Sequence, residues 1–269
     1  MPELPEVETT RRGVEPYLQG RMIRSVTVRQ PRLRWPVPDE VRELADCRVT
    51  SVGRRGKYLL FETDRGTVLV HLGMSGSLRI SPARTTPEKH DHVDFVLEQG
   101  RVLRLRDPRR FGAVLWSDAG EVHPLLQQLG VEPLEPAFDD TVLYQRSRGK
   151  RQAVKAFIMD ARVVVGVGNI YANEALFMAG IDPRRPAGEL SLARYQQLSQ
   201  AIRTVLSQAI GQGGTTLRDF VREDGQSGYF QVALQVYGRT GEPCVRCSEP
   251  VQQLRQGQRS SWYCPCCQQ

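Results

Sequence analysis

The chain has 269 residues, 37 lysines and arginines against 30 aspartates and glutamates, a formal charge of +7, and six cysteines. That length suits two domains, each large enough to bury a core. With no basic-then-apolar leader and no apolar run long enough to span a bilayer, the composition excludes a secreted or membrane-spanning protein and predicts a soluble, intracellular one.

The chain opens Met1-Pro2-Glu3-Leu4-Pro5-Glu6-Val7-Glu8. If Met1 is removed, Pro2 becomes a secondary amine beside the Glu3 carboxylate. An α-amino group titrates near pH 7.7–8.0, so about a third is neutral and nucleophilic near pH 7.5, against about a thousandth of lysines. Leu4, Val7, Val14 and Leu18 recur at helical spacing over 3–19, and Gly20 is a stop signal. Short β-prone runs follow at Met22–Arg29, Val49–Arg54, Tyr58–Thr63, Thr67–Leu72, Ser77–Ile80, His92–Leu97, Arg101–Arg106 and Ala113–Trp116, interrupted by a short helix at Asp39–Leu44. Strands at this even spacing predict an antiparallel sandwich or barrel.

The pattern turns helical after Leu134-Glu135-Pro136, with runs at Thr141–Ser147, Arg151–Met159, Ile170–Ala179 and Leu192–Ile210. Residues 215–230 read as a polar loop. The glycines of Val165-Gly166-Val167-Gly168-Asn169 allow close backbone approach, and Asn169 suits an N-cap where free amides favour a phosphate. The basic excess is uneven: residues 1–149 hold 23 basic and 21 acidic side chains, residues 150–269 hold 14 and 9. That bias suits a polyanionic partner.

Five of the six cysteines follow position 243. Cys244-x2-Cys247-x16-Cys264-x2-Cys267 is zinc-ribbon spacing, and four thiolates make a closed, structural zinc site. Cys266, beside Cys267, is a competing fourth ligand. Arg259, between the two pairs, can present a planar cation to a phosphate.

Motifs along the whole chain resemble the bacterial formamidopyrimidine-DNA glycosylases. They are Pro2–Glu8, Lys57-Tyr58-Leu59-Leu60, His71-Leu72-Gly73-Met74-Ser75-Gly76, Lys89-His90-Asp91-His92, Asp107-Pro108-Arg109-Arg110-Phe111-Gly112, Val165–Ala172, Gln212-Gly213-Gly214-Thr215-Thr216, Val236-Tyr237-Gly238-Arg239 and the four-cysteine tail. The resemblance implies an α+β fold: an N-terminal antiparallel β-sandwich with helices over 1–134, and a linker at 135–150. A helix–two-turn–helix domain follows over 151–240, with a base-reading loop near 215–230, then a zinc finger over 241–269.

It also implies an enzyme that removes oxidised purines from double-stranded DNA and then nicks the abasic site by β,δ-elimination, acting as a monomer in the bacterial cytoplasm on nucleoid DNA. Pro2 is then the nucleophile and Glu3 the acid on the sugar ring oxygen. Lys57 and Arg259 assist elimination. His71, Met74, His90, Arg109, Phe111, Lys150, Lys155 and Asn169 contact DNA, and one zinc is held per chain. For Glu6 two readings stay open: support of Pro2 and Glu3, or closure of the first helical turn. The rivals are an enzyme resembling endonuclease VIII, which prefers oxidised pyrimidines, and a non-catalytic zinc-ribbon protein that only binds damaged DNA.

Overall fold

The computed structural model describes residues 2–213 and 234–269, in two compact units that divide between Gln127 and Gln128. The expected loop at 215–230 lies outside the described residues.

The first unit begins with helix α1, Leu4–Leu18. Glu3 is its N-cap and Pro5 lies in the first turn, where a missing N–H costs nothing. Pro16 does not stop the helix, which runs two residues further. Its buried face is Leu4, Val7, Val14 and Leu18. The strands are β1 Met22–Val28, β2 Cys47–Arg55, β3 Tyr58–Thr63, β4 Gly66–His71, β5 Ser77–Pro82, β6 Asp91–Leu97, β7 Arg101–Arg106 and β8 Ala113–Asp118, with short helix α2, Asp39–Arg42, between β1 and β2.

All eight strands join one antiparallel ladder in the order β5-β7-β6-β1-β2-β3-β4-β8. The sandwich is therefore one sheet folded over rather than two. The fold lies at β1–β2, paired only through Met22–Arg48 and Ile23–Cys47. Phe61 of β3 meets Phe95 of β6 edge-on at 6.4 Å, so the two halves face each other across the core. Alternating residues from both halves fill it: Val49, Leu59, Val68 and Val70 from one, Ile23, Val93, Leu103 and Leu105 from the other. Helix α1 packs on β2, β3 and β5, so the chain's N-terminus is fixed by that same core.

Short α3, Pro124–Gln127, ends the unit. The second unit holds α4 Val142–Ser147, α5 Val154–Ile158, α6 Asn169–Met178 and α7 Leu192–Gly211, then the hairpin β9 Gln252–Gln256 with β10 Arg259–Tyr263. Helix α4 packs on α7 inside the stretch expected to be a linker. Ser191 caps α7 by accepting the Arg194 N–H. Helices α6 and α7 bury Tyr171, Leu176, Phe177, Tyr195, Leu198 and Ile202.

Candidate active site and nucleic-acid interface

The N-terminal acids are buried rather than solvated: Glu3 is 2% and Glu6 1% exposed. The Glu6 Oε2 accepts the Glu3 N–H at 2.8 Å. That N–H belongs to the peptide joining Pro2 to Glu3, so Glu6 closes the first turn by holding the peptide that carries the proline. Of the two readings for Glu6, the closure of the first helical turn is the one seen. Glu3-x-x-Glu6 has capping-box spacing, a signal readable in the sequence.

Lys57 follows Gly56, whose φ of +56° makes the tight turn between β2 and β3. The register then places Tyr58 opposite His71, and their rings lie 4.9 Å apart. His71 Nδ1 accepts the Gly73 N–H at 3.0 Å. Burial, with Lys57 and Arg34 nearby, pulls the His71 pKa down to about 4. His71 is therefore neutral at physiological pH and shapes the turn that follows it.

That turn carries Met74, and a second carries Arg109 and Phe111. They are bolted together. Gly73 has φ +63°, and a Cβ there would lie 2.4 Å from the Gly112 nitrogen and the Phe111 carbonyl carbon. The wholly buried Asp107 carboxylate accepts the Ser75 hydroxyl at 3.0 Å and the Gly112 N–H at 2.7 Å. The Asp107 N–H donates to the His90 carbonyl at 3.0 Å, and the His92 Nε2 contacts the Asp107 carbonyl oxygen at 2.8 Å. Met74, His90, Arg109 and Phe111 thus stand around one carboxylate residue. Asp107 was not among the expected site residues; its place beside Pro-Arg-Arg was the only cue. Met74 is 38% and Phe111 46% exposed, and the Arg109 guanidinium lies 4.9 Å over the Phe111 ring. Large apolar side chains held in solvent by a rigid turn mark a contact surface.

In the second unit one expectation is corrected. The N-cap of α6 is Gly168, not Asn169; Asn169 is the first helical residue. The extended backbone needed at the cap falls on glycine, and the Asn169 carbonyl instead accepts the Asn173 Nδ2 at 2.5 Å. Among the described residues the buried Asn169 Oδ1 has no hydrogen-bond partner. Lys155 was expected to contact DNA. It is 2% exposed, and its ammonium donates to the Ser260 carbonyl and the Ser261 Oγ, each at 2.7 Å. The hairpin packed on this helix takes the charge. Lys150 is exposed, with its backbone bonded to Ser147 and Gly188.

Arg259 starts β10, exposed opposite Gln256, and lines a cavity of about 260 Å³ with Lys155, Ala156, Met159, Asp160 and Gln256. The Asn173 Oδ1 accepts the Trp262 N–H at 2.9 Å, a second tie from α6 to the hairpin. Glu174 was also missed. Its carboxylate accepts the N–H groups of Gln235, Val236 and Tyr237 at 2.8–3.0 Å, and burial keeps its pKa raised despite them. A glutamate inside an apolar helix was the available signal.

The Sγ atoms of Cys244, Cys247, Cys264 and Cys267 lie within 4.8 Å of one another. Cys244–Cys267 is 3.9 Å and Cys247–Cys264 is 3.4 Å. A tetrahedral zinc with bonds near 2.3 Å needs about 3.8 Å between sulfurs, so the donor set fits. The Arg246 N–H donates to Cys244 Sγ and the Cys267 N–H to Cys264 Sγ, each at 3.4 Å, supporting thiolates. Cys266 is exposed and stands outside the cluster, so it does not compete. The tail holds one structural zinc with no open position for a catalytic water.

A folded-over sandwich with acids buried at its N-terminus, joined to a helical module and a four-thiolate ribbon, defines a zinc-ribbon nucleic-acid enzyme. Three family models match in order: the formamidopyrimidine-DNA glycosylase N-terminal domain over residues 1–114, its H2TH domain over 129–221, and the zinc finger found in FPG and IleRS over 241–269. The chain belongs to the formamidopyrimidine-DNA glycosylase family. It is 59% identical to the formamidopyrimidine-DNA glycosylase of Alcanivorax borkumensis over 100% of both chains. The Fpg crystal structure from Thermus thermophilus matches with a TM-score of 0.89 and 41% identity, covering 99% of this chain and 98% of that one. The Lactococcus lactis Fpg in complex with DNA containing an abasic site matches with a TM-score of 0.90 and 33% identity, covering 99% of each. Other complexes of the L. lactis protein hold DNA with Fapy-dG or an oxidised pyrimidine. Among the described residues no helix is long and apolar enough to cross a membrane.

Proposed function

We propose that this protein is a base-excision repair DNA glycosylase that removes oxidised purines through an N-terminal proline and then cuts the strand. The observation that carries this reading is the N-terminus itself. In a chain of this family, Pro2 and Glu3 are buried together and their shared peptide is held by Glu6.

With Met1 removed, the Pro2 nitrogen attacks C1′ of the damaged nucleoside, and the bond from C1′ to the base breaks. The base leaves with a proton. Glu3 gives a proton to the ring oxygen, which opens the sugar as the nitrogen lone pair forms the iminium. That cation is the electron sink for loss of the 3′ phosphate and then the 5′ phosphate, leaving a one-nucleotide gap with phosphate at both ends. Lys57 and Arg259 are assigned to phosphate contact and to elimination. His71 joins them as a neutral hydrogen-bonding group.

Extruding a nucleotide costs about a few kcal/mol of stacking and pairing. Met74 and the Phe111 ring fill the vacated stack, and Arg109 bonds the orphaned cytosine. Their fused turns make a single stiff wedge. His90, Lys150 and Asn169 contact the backbone. Lys155 acts through the hairpin, holding the segment that bears Arg259. The protein works on duplex DNA in the bacterial cytoplasm, as a single chain.

The name carried by its relatives favours purine lesions over the pyrimidine preference of the endonuclease VIII group. Incubation with a duplex bearing 8-oxoguanine opposite cytosine is the test. Release of the base and a gap with phosphate at both ends support the proposal. Faster cutting of thymine glycol sets the purine assignment aside. Binding with no cutting leaves the non-catalytic rival.

A further inference from the structure

The outer face of the first half of the sandwich carries a buried ionic pair with no place in the chemistry above. Arg104 on β7 is 5% exposed and Asp94 on β6 is 3% exposed. The guanidinium forks onto the carboxylate, Nε to Oδ1 and Nη2 to Oδ2, both at 2.8 Å. Arg29 adds a bond to Asp94 at 2.5 Å. Desolvation opposes ionisation of Asp94, but its bonds to Arg104 and Arg29 outweigh it and hold the pKa low. A buried pair of this kind adds little stability over an apolar pair of equal volume, so its retention calls for another reason.

The rest of the guanidinium supplies one. Arg104 Nη2 donates to the Thr85 carbonyl at 3.1 Å, and Nη1 reaches the Thr86 carbonyl at 3.5 Å. These carbonyls begin the segment that carries Lys89 and His90. Further along, Arg106 bonds Glu88, the Glu88 N–H donates to Asp91 Oδ2 at 2.7 Å, and the Asp91 N–H donates back to the Glu88 carbonyl at 3.0 Å. The His90 carbonyl is fixed separately, by the Asp107 N–H. So the segment is held at its start by Arg104 and at its end by Asp107, the residue that also organises the wedge.

We propose that Arg104 is a positioning residue for DNA recognition: oriented by Asp94, it holds the 85–90 segment so that His90 meets the DNA backbone in register with the Met74, Arg109 and Phe111 wedge. This rests on the proposed contact of His90 with DNA. Arg104 itself touches no substrate.

The test is a double-mutant cycle on the zinc-loaded full chain. His90→Ala is measured in the wild-type background and in Asp94→Leu/Arg104→Met. The double replacement substitutes an apolar pair for the ionic one; the half-buried Arg29 loses its Asp94 bond, and Asp91 loses Arg104 at 3.6 Å but keeps Arg106 at 3.9 Å. The readout is Kd for an 8-oxoguanine duplex. In the wild-type background His90→Ala should weaken binding about three- to tenfold, the range of one hydrogen bond. In the apolar background it should change Kd less than about twofold, because His90 is already out of place. A purely structural role for the pair moves the melting temperature and leaves the His90 effect intact, and that result overturns the inference while keeping the His90 contact. No effect of His90→Ala in the wild-type background removes the contact and the inference with it. If the apolar background does not fold, Arg104→Lys replaces it. Lysine keeps a charge beside Asp94 but cannot fork to both Asp94 and the Thr85–Thr86 carbonyls, and the same loss of the His90 effect is expected.

Discussion

Replacing Lys155 by methionine separates two roles for a buried cation. The ammonium makes two charge-assisted bonds, to the Ser260 carbonyl and Ser261 Oγ. Such bonds contribute about 1.5–3 kcal/mol each. Ser261 Oγ keeps its bond to Gln256 Oε1 at 2.6 Å after the change, whereas the Ser260 carbonyl loses this donor. Methionine restores much of the apolar stem, and removing the ammonium relieves its desolvation cost. The net loss should then be about 2–4 kcal/mol. The assays are denaturant unfolding of the zinc-loaded chain, zinc release to a chromophoric chelator, and DNA affinity across a salt series. We expect lower stability, faster zinc release and weaker binding with an unchanged salt slope, because Lys155 neutralises no phosphate. A slope lower by about one unit with stability unchanged would make Lys155 a phosphate ligand and refute the argument.

Three further outcomes follow from the site. His71 has an ordinary pKa of 6.5 that falls to about 4 in the folded chain, so folding favours its neutral form. Its contribution is fully present above pH 6.5 and declines as pH falls towards 4, by about 3 kcal/mol in all. His71→Asn should flatten the acid side of the stability profile between about pH 6.5 and 5; an unchanged difference from wild type across that window contradicts the assignment. Stripping zinc should unfold the ribbon and abolish DNA binding while the sandwich still melts cooperatively, and full binding by metal-free protein would defeat this. Arg259→Ala should weaken binding to all sequences alike and lower the salt slope by about one unit, and an unchanged slope removes its phosphate role.

Much of this was legible in the chain, for physical reasons. The β-prone runs of β3 and β7, set off by Gly and charged turns, gave strands whose bounds match the structure, Tyr58–Thr63 and Arg101–Arg106. Cysteine spacing located the metal site because tetrahedral thiolates need paired knuckles. What was not legible depends on partners far away in sequence. The bonds of Lys155 to Ser260 and Ser261 join residues more than 100 positions apart, which no local pattern records. Asp107 reads as a turn residue until Ser75 and Gly112 converge on it. The fold-over at β1–β2 depends on a ladder two pairs long, which no strand pattern records. The cap of α6 was misplaced by one residue because Asn and Gly both suit that position.

The central claim is that Pro2 is the nucleophile. Borohydride reduction during reaction with a lesion-bearing duplex, followed by peptide mapping of the trapped complex, tests it most directly. A lysine would need its pKa lowered by several units to compete at neutral pH, whereas a terminal proline needs little shift. The DNA should therefore map to the N-terminal peptide, on Pro2, and protein that keeps Met1 should trap poorly. Trapping on Lys57 or another internal lysine would contradict the account.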